Sequence, residues 1–139
     1  MKYRKLTKDD TTLWDELARP HFLPEDFYHA EKVLENWDLL DAYVLLTESD
    51  EWIGVIFLDY RKHDINPNGI HFLQVFVRPE FQGQGYSNQL MEIGLKYSLG
   101  MIKSVCINPN NIASIALFEK YGFKKSHPLK TWDVYLKND

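Results

Sequence analysis

A single cysteine, Cys106, stands in the 139 residues, so no internal disulfide can staple the chain. It lies in the apolar run Val105-Cys106-Ile107 and reads as a small buried hydrophobe, with no claim to be a nucleophile. A reducing, cytoplasmic setting is expected, and the opening MKYRKLTKDDTTLW lacks the apolar stretch and small-residue cleavage site of a secretory leader. No apolar run approaches the ~18–20 residues that a membrane-spanning helix needs, so no membrane partner is expected. Basic clusters are also scarce. With 16 Lys+Arg against 20 Asp+Glu the net charge is −4, which argues against nucleic acid as a partner, because such binding relies on clustered cations. A cationic substrate is compatible with that charge. The histidines His21, His29, His63, His71 and His127 follow no metal-ligand spacing, so no metal is expected.

What is present is the material of one globular domain over residues 1–139: 45% hydrophobic and 26% charged residues, with no repeat or low-complexity linker. The 14% aromatic content reads chiefly as core. Strand is predicted at Tyr3–Leu6, then a helix after Lys8-Asp9-Asp10 with Leu13, Trp14 and Leu17 on one face, and a second helix over Glu25–Trp37. A hairpin follows, Ala42–Thr47 and Trp52–Tyr60, with Glu48-Ser49-Asp50-Glu51 as its turn. After the loop Arg61–Gly69 come a strand at Ile70–Val77, a helix carrying Tyr86, Leu90, Ile93 and Tyr97, and a strand at Met101–Ile107. A helix over Ile112–Tyr121 is stopped by Gly122, and strands at Phe123–Ser126 and Thr131–Leu136 close the chain. This order predicts an α/β mixed sheet of about seven strands with helices on both faces.

The segment from Val77 to Asn88, VRPEFQGQGYSN, is the informative one, because two glycines sit where a strand gives way to a helix. A helix start offers unpartnered N–H groups and partial positive charge, and glycine lets an anion approach the backbone. Read alone, Gly83 and Gly85 are equally well explained as residues of a tight loop. A P-loop is excluded because no Gly-Lys-Ser/Thr follows, and the Rossmann fingerprint because Asn88 stands where a third Gly or Ala belongs.

Gln82-x-x-Gly85-x-Ser87 resembles the Q/R-x-x-G-x-G/A signature of the GNAT superfamily of N-acetyltransferases, with Ser87 departing from it. Downstream, Asn111-Ile112-Ala113-Ser114-Ile115-Ala116-Leu117-Phe118-Glu119-Lys120-Tyr121-Gly122-Phe123 is similar to the family's N-x-x-A-x-x-L-Y-E-x-x-G-F. Ser114 replaces its Ala and Phe118 its Tyr. The two motifs cover about residues 70–123.

The resemblance implies transfer of an acetyl group from acetyl-CoA to a primary amine of a small molecule or a peptide, by direct attack on the thioester. It implies that Val75, Phe76 and Val77 offer strand backbone to the pantetheine arm, and that the amides of Gly83, Gln84, Gly85, Tyr86, Ser87 and Asn88 hold the pyrophosphate. Gln82 would order that loop. Asn111 would touch the cofactor, although an Asn before a helix is also an ordinary cap. Phe118 would pack on cofactor or core but lacks the hydroxyl that relatives place by the sulfur, so Tyr121 or solvent would have to protonate the thiolate. His71 falls at the place of the family's basic Glu and is the candidate base, against a structural role at a strand start where exposure is common. Oligomeric state is not legible, and a homodimer is compatible. The alternative function is a CoA-binding module of little or no activity.

Overall fold

The structure, a computed structural model, describes residues 1–138. Seven strands form one sheet: β1 (Lys2–Lys5), β2 (Leu40–Leu46), β3 (Trp52–Asp59), β4 (Ile70–Val77), β5 (Lys103–Ile107), β6 (Lys124–Leu129) and β7 (Trp132–Lys137), in the spatial order β1-β2-β3-β4-β5-β7-β6. Every neighbouring pair is antiparallel except β4 and β5. A parallel pair needs a crossover, and the helix α3 (Tyr86–Tyr97) supplies it. The sheet and the helices on both its faces match the predicted architecture.

Two apolar cores lie on opposite faces. On one, α3 and α4 (Ile112–Lys120) cover Ile56, Leu58, Ile70, Phe72, Val105 and Tyr135, with Leu90, Met91, Ile93 and Phe118 inserted from the helices. On the other, α1 (Thr11–Ala18) and α2 (Ala30–Glu35) cover Val44, Val55, Phe57 and Phe76. Trp14, fully enclosed, is the centre of that second core: its indole lies 4.8 Å from Phe57 and 5.8 Å from Phe76, ring centre to ring centre. The buried face of α1 is therefore Thr11, Trp14 and Ala18, whereas Leu13, expected to share it, is 38% exposed. Leu13 is rotated ~100° from Trp14 around the helix and falls outside the stripe that the indole defines.

A bulge interrupts the β3/β4 ladder. Phe57 pairs with Gln74 but Leu58 with Phe72, so Leu73 is the extra residue on β4. One extra residue breaks the alternation of sides. Phe72 faces α3, Leu73 packs toward α1 and α2, and Gln74 bonds to the loop before α2. From there Val75, Phe76 and Val77 alternate again, the two valines toward α3 and Phe76 toward α1.

The same glutamine explains why the second helix is shorter than Glu25–Trp37. Gln74 accepts from the Tyr28 N–H at 3.2 Å and donates to the Asp26 carbonyl, while the Trp14 indole donates to the Tyr28 carbonyl at 2.9 Å. Backbone groups captured by these side chains are lost to a helical ladder, so the helix starts only at Ala30, after His29. At the other end, β6 runs further than Phe123–Ser126, to Leu129, as an exposed edge strand that includes Pro128.

Gly94 is fixed by close packing. A Cβ there would stand 2.7 Å from Ile56 Cδ1 and 2.8 Å from Phe72 Cε2. We expect Gly94→Ala to lower the unfolding free energy by about 1–3 kcal/mol in a denaturant titration, although alanine is the better helix former, because overpacking outweighs propensity.

Candidate functional site

β4 and β5 are held together by two rungs, Ile70 with Lys103 and His71 with Ser104. Beyond them the strands part, and the rest of β4 presents an open backbone edge. A groove of about 380 Å³ lies on the α3/α4 face of this opening, lined by Val75, Val77, Phe81, Gln82, Gly83, Gly85, Tyr86, Ser87, Ala113, Ser114 and Leu117. Both sequence motifs thus meet in one place. Phe76 contributes backbone only, its ring being buried in the Trp14 core.

Gly83 and Gly85 take φ values of +77° and +83°, which L side chains rarely adopt. A Cβ on either would meet no atom within 4 Å, because both face open space at the mouth of the groove. Gln82 donates its side-chain N–H to the Val77 carbonyl at 3.0 Å, holding the loop against the end of β4, and Gln84 donates to the Glu80 carbonyl at 3.4 Å. The backbone N–H groups of Gly83, Gln84, Gly85, Tyr86, Ser87 and Asn88 have no acceptor among the described residues, the first paired amide being Gln89 to Gly85 at 3.4 Å. Six successive free donors at the positive end of a helix of 12 residues form a backbone anion cradle. A pyrophosphate fits this donor set, and a Cβ at either glycine would enter the space it needs.

Other expected site residues lie around this groove in different roles. The Asn111 side chain accepts from Ser114 N–H at 3.2 Å and caps α4. Phe118 is 4% exposed and sits edge-on to Phe123 and Phe72, at 5.0 and 6.1 Å, as part of the core under the groove. The Tyr121 hydroxyl donates to Asn88 Oδ1 at 3.1 Å and to the Asn88 carbonyl at 3.3 Å, which ties the end of α4 to the start of α3. Burial, helped by Glu92, raises its pKa, and its ring is not among the groove's lining. Cys106 is half-buried rather than enclosed, and burial raises its thiol pKa.

His71 is buried, not exposed, because it occupies an interior strand of the sheet. Its side chain projects on the α1/α2 face into a polar cluster. Asp59, fully enclosed, accepts from Arg61 through Nη2 at 2.7 Å and from His63 Nε2 at 2.9 Å, and the His63 ring lies against His71, tilted by 36°, with centroids 4.7 Å apart. Burial alone would raise the Asp59 carboxyl, but the bonds from Arg61 and His63 outweigh it and hold the group below its ordinary value. For His71, burial and then the nearby His63 lower the pKa to about 4, against the opposing pull of Asp59. The sequence left this cluster unread: its members lie close together in the chain, between Asp59 and His71, but belong to no motif.

On the α1/α2 face the loop before α2 crosses from β4 toward β7. Asp26 Oδ1 accepts from the Trp132 indole at 3.3 Å, so the Gln74–Asp26–Trp132 bonds strap the loop from β4 across to β7. A second cavity, about 490 Å³, adjoins it and is lined by Glu25, Asp26, Tyr28, Arg61 and Gln74 among others.

A mixed sheet that opens between two parallel strands, with a backbone phosphate cradle at the mouth of the opening, is the frame of an α/β protein that binds a phosphorylated acyl carrier. Residues 10–123 match the acetyltransferase (GNAT) family, and the chain belongs to it. It is 29% identical over 82 residues to the peptidyl-lysine N-acetyltransferase YjaB of Salmonella typhimurium, a match spanning 59% of this chain and about half (49%) of that relative. Its fold resembles PaiA N-acetyltransferase from Thermoplasma acidophilum in complex with coenzyme A, with a TM-score of 0.80, 17% identity and 100% of both chains covered. It also resembles the spermidine N-acetyltransferase of Vibrio cholerae in complex with CoA and spermine, with a TM-score of 0.72, 20% identity and 97% and 92% of the two chains covered. Among the described residues no helix is long and apolar enough to cross a membrane, and no group of His, Cys, Asp or Glu is disposed to hold a metal.

The depressed pKa of His71 makes a test of its burial. The unfolded chain takes up this proton near 6.5 and the fold only near 4, so the fold binds fewer protons in between. Stability is therefore complete above about pH 6.5 and falls as pH drops toward 4, by about 3 kcal/mol from this group. Asp10, Asp15 and Asp59, all held below 3.8, lose their contribution only at lower pH. We expect denaturant titrations from pH 7 to 4 to show this loss in the wild type and a much flatter profile in His71→Gln.

Proposed function

We propose that the protein is a single-domain, acetyl-CoA-dependent N-acetyltransferase that acts on a primary amine of a small molecule or of a peptide or protein side chain. The observation that carries the reading is the run of six unpartnered amides at the mouth of the β4/β5 opening. Acetyl-CoA supplies the activated acyl group. The amides of Gly83 to Asn88 hold its pyrophosphate, Gln82 keeps their loop in place, and the open edge of Val75–Val77 runs beside the arm. The acceptor enters from the α1/α2 face, under the strap of Asp26 and Gln74. The peptidyl-lysine and spermidine acetyltransferases among its relatives support an alkylamine acceptor, and the net negative charge of the chain favours a cation. A cytoplasmic location, where Cys106 stays reduced, belongs to this reading.

Phe118 without a hydroxyl, and a Tyr121 hydroxyl already bonded to Asn88, favour a second reading, a CoA-binding module. The two separate in one experiment. Acetyl-CoA at about a hundredfold its Kd is expected to stabilise the wild type by about 2.7 kcal/mol in a thermal melt. Mixing it with a panel of alkyl, peptidyl and polyamine acceptors is expected to release free thiol. Stabilisation without thiol release from any acceptor would favour the module.

Gly85→Val is expected to abolish the thermal shift, since a branched side chain at φ +83° is strained and fills the cradle. Ser87→Asp is the companion for a variant that must fold: a carboxylate in the first turn of α3 suits the helix dipole but repels phosphate. An undiminished shift in both would refute the cradle.

A further inference from the structure

The vertex where β4 and β5 part carries a buried imidazole with one nitrogen unaccounted for. His71 Nδ1 lies 2.9 Å from Ser104 Oγ across the last rung of the parallel pair. Ser104 is fully enclosed, and its oxygen accepts from Asn66 Nδ2 at 3.3 Å. Asn66 Nδ2 also faces the carbonyls of Ile70, at 3.2 Å, and Ile102, at 3.0 Å, its two hydrogens shared among the three acceptors, so the atom facing Ser104 is a donor nitrogen and not the amide oxygen. The Ser104 hydroxyl proton then has one acceptor within reach among the described residues, His71 Nδ1. An imidazole that is neutral and accepts at Nδ1 carries its proton on Nε2.

Nε2 has no protein partner among the described residues. Every fully enclosed side-chain nitrogen or oxygen among the described residues has one, so Nε2 is not sealed in but accounts for part of the 7% of His71 that stays accessible. It opens on the α1/α2 face, the side from which the acceptor enters, beneath the His63 ring. The cradle lies past the far end of β4, and the open strand edge leads back from it toward the vertex, which is the path an extended arm lying along that edge takes.

We propose that Ser104, braced by Asn66, locks His71 as the neutral Nε2–H tautomer, so that the imidazole donates a hydrogen bond to the acyl oxygen during transfer and does not take the amine's proton. This rests on the acetyltransferase reading above. In the reaction the C–N bond forms, the C–S bond breaks with its electron pair leaving on sulfur, and the amine proton passes to solvent water. His71 keeps its own proton throughout and acts by opposing the negative charge that develops on oxygen. Ser104 and Asn66 are positioning residues. A ring held neutral well below pH 7 by burial, with His63 and Arg61 adding to it and Asp59 opposing, is suited to donate without changing charge.

Long-range nitrogen–proton correlation NMR on protein labelled with ¹⁵N-histidine reads the tautomer without any turnover. The expected result at pH 7 is a His71 signal of the Nε2–H form, assigned by its absence in His71→Gln and shifted toward the mixed form in Ser104→Ala. An Nδ1–H signal or an imidazolium at pH 7 overturns the proposal. The kinetic arm separates donor from base. The Gln side-chain amide can place an N–H where Nε2 stood, so His71→Gln is expected to keep kcat within about tenfold of wild type, and His71→Leu to lose about a hundredfold, each with an unchanged acetyl-CoA thermal shift. Equal collapse of both variants, with rates recovering as pH rises, would restore His71 as the base. Absence of turnover on every amine would overturn the transferase reading, and with it the donor role, while leaving the tautomer signal and the CoA shift intact as separate results.

Discussion

Two rungs of parallel pairing join β4 to β5, and the usefulness of the fold depends on there being no more. Had the ladder continued, the backbone edge of Val75–Val77 would be spent on β5 and the groove closed. The pairing ends at His71 and Ser104, and the bulge at Leu73 then redirects β4, whose other edge resumes pairing with β3 one residue out of step. A split sheet exposes polar backbone inside a domain, which is costly unless a ligand or water satisfies it. The two cores on either face supply the rigidity that keeps the split open without collapse.

The bulge also divides labour between the faces. It sets Val75 and Val77 toward the groove and Phe76 toward Trp14, so one short run serves ligand and core at once. It turns Gln74 to the α1/α2 face, where its amide captures the loop before α2 and, through Asp26, reaches Trp132 on β7. The loop before α2 is thereby anchored to the same strand that borders the groove.

Polar groups gather where the strands part, and their burial is paid for by mutual bonding. Asp59 is compensated by Arg61 and His63, and Ser104 by Asn66 and His71. A network satisfied at every enclosed atom specifies one arrangement of its members. His71 Nε2 is left accessible at the edge of this network, on the α1/α2 face.

The order of elements and a strand-to-helix junction with two glycines were legible in the chain because they rest on local physics, whereas the meaning of the two motifs came from their resemblance to a family. Period-2 and period-3.6 patterning marks strands and helices, Gly83 and Gly85 mark a loop whose φ values other residues avoid, and Asn111 marks a helix start. Tertiary structure decided the rest. The helix expected over Glu25–Trp37 begins only at Ala30, since Gln74 and Trp14, far along the chain, take the backbone groups that would have extended it. The Leu73 bulge is invisible in an apolar strand that reads the same in either register. His71 looked like an exposed residue at a strand start, yet its environment is set by Asp59, His63, Asn66 and Ser104, which adjacency in the fold assembles and no spacing in the sequence announces. A side chain's burial, tautomer and pKa are properties of its neighbours in space, and only the closed sheet fixes who those neighbours are.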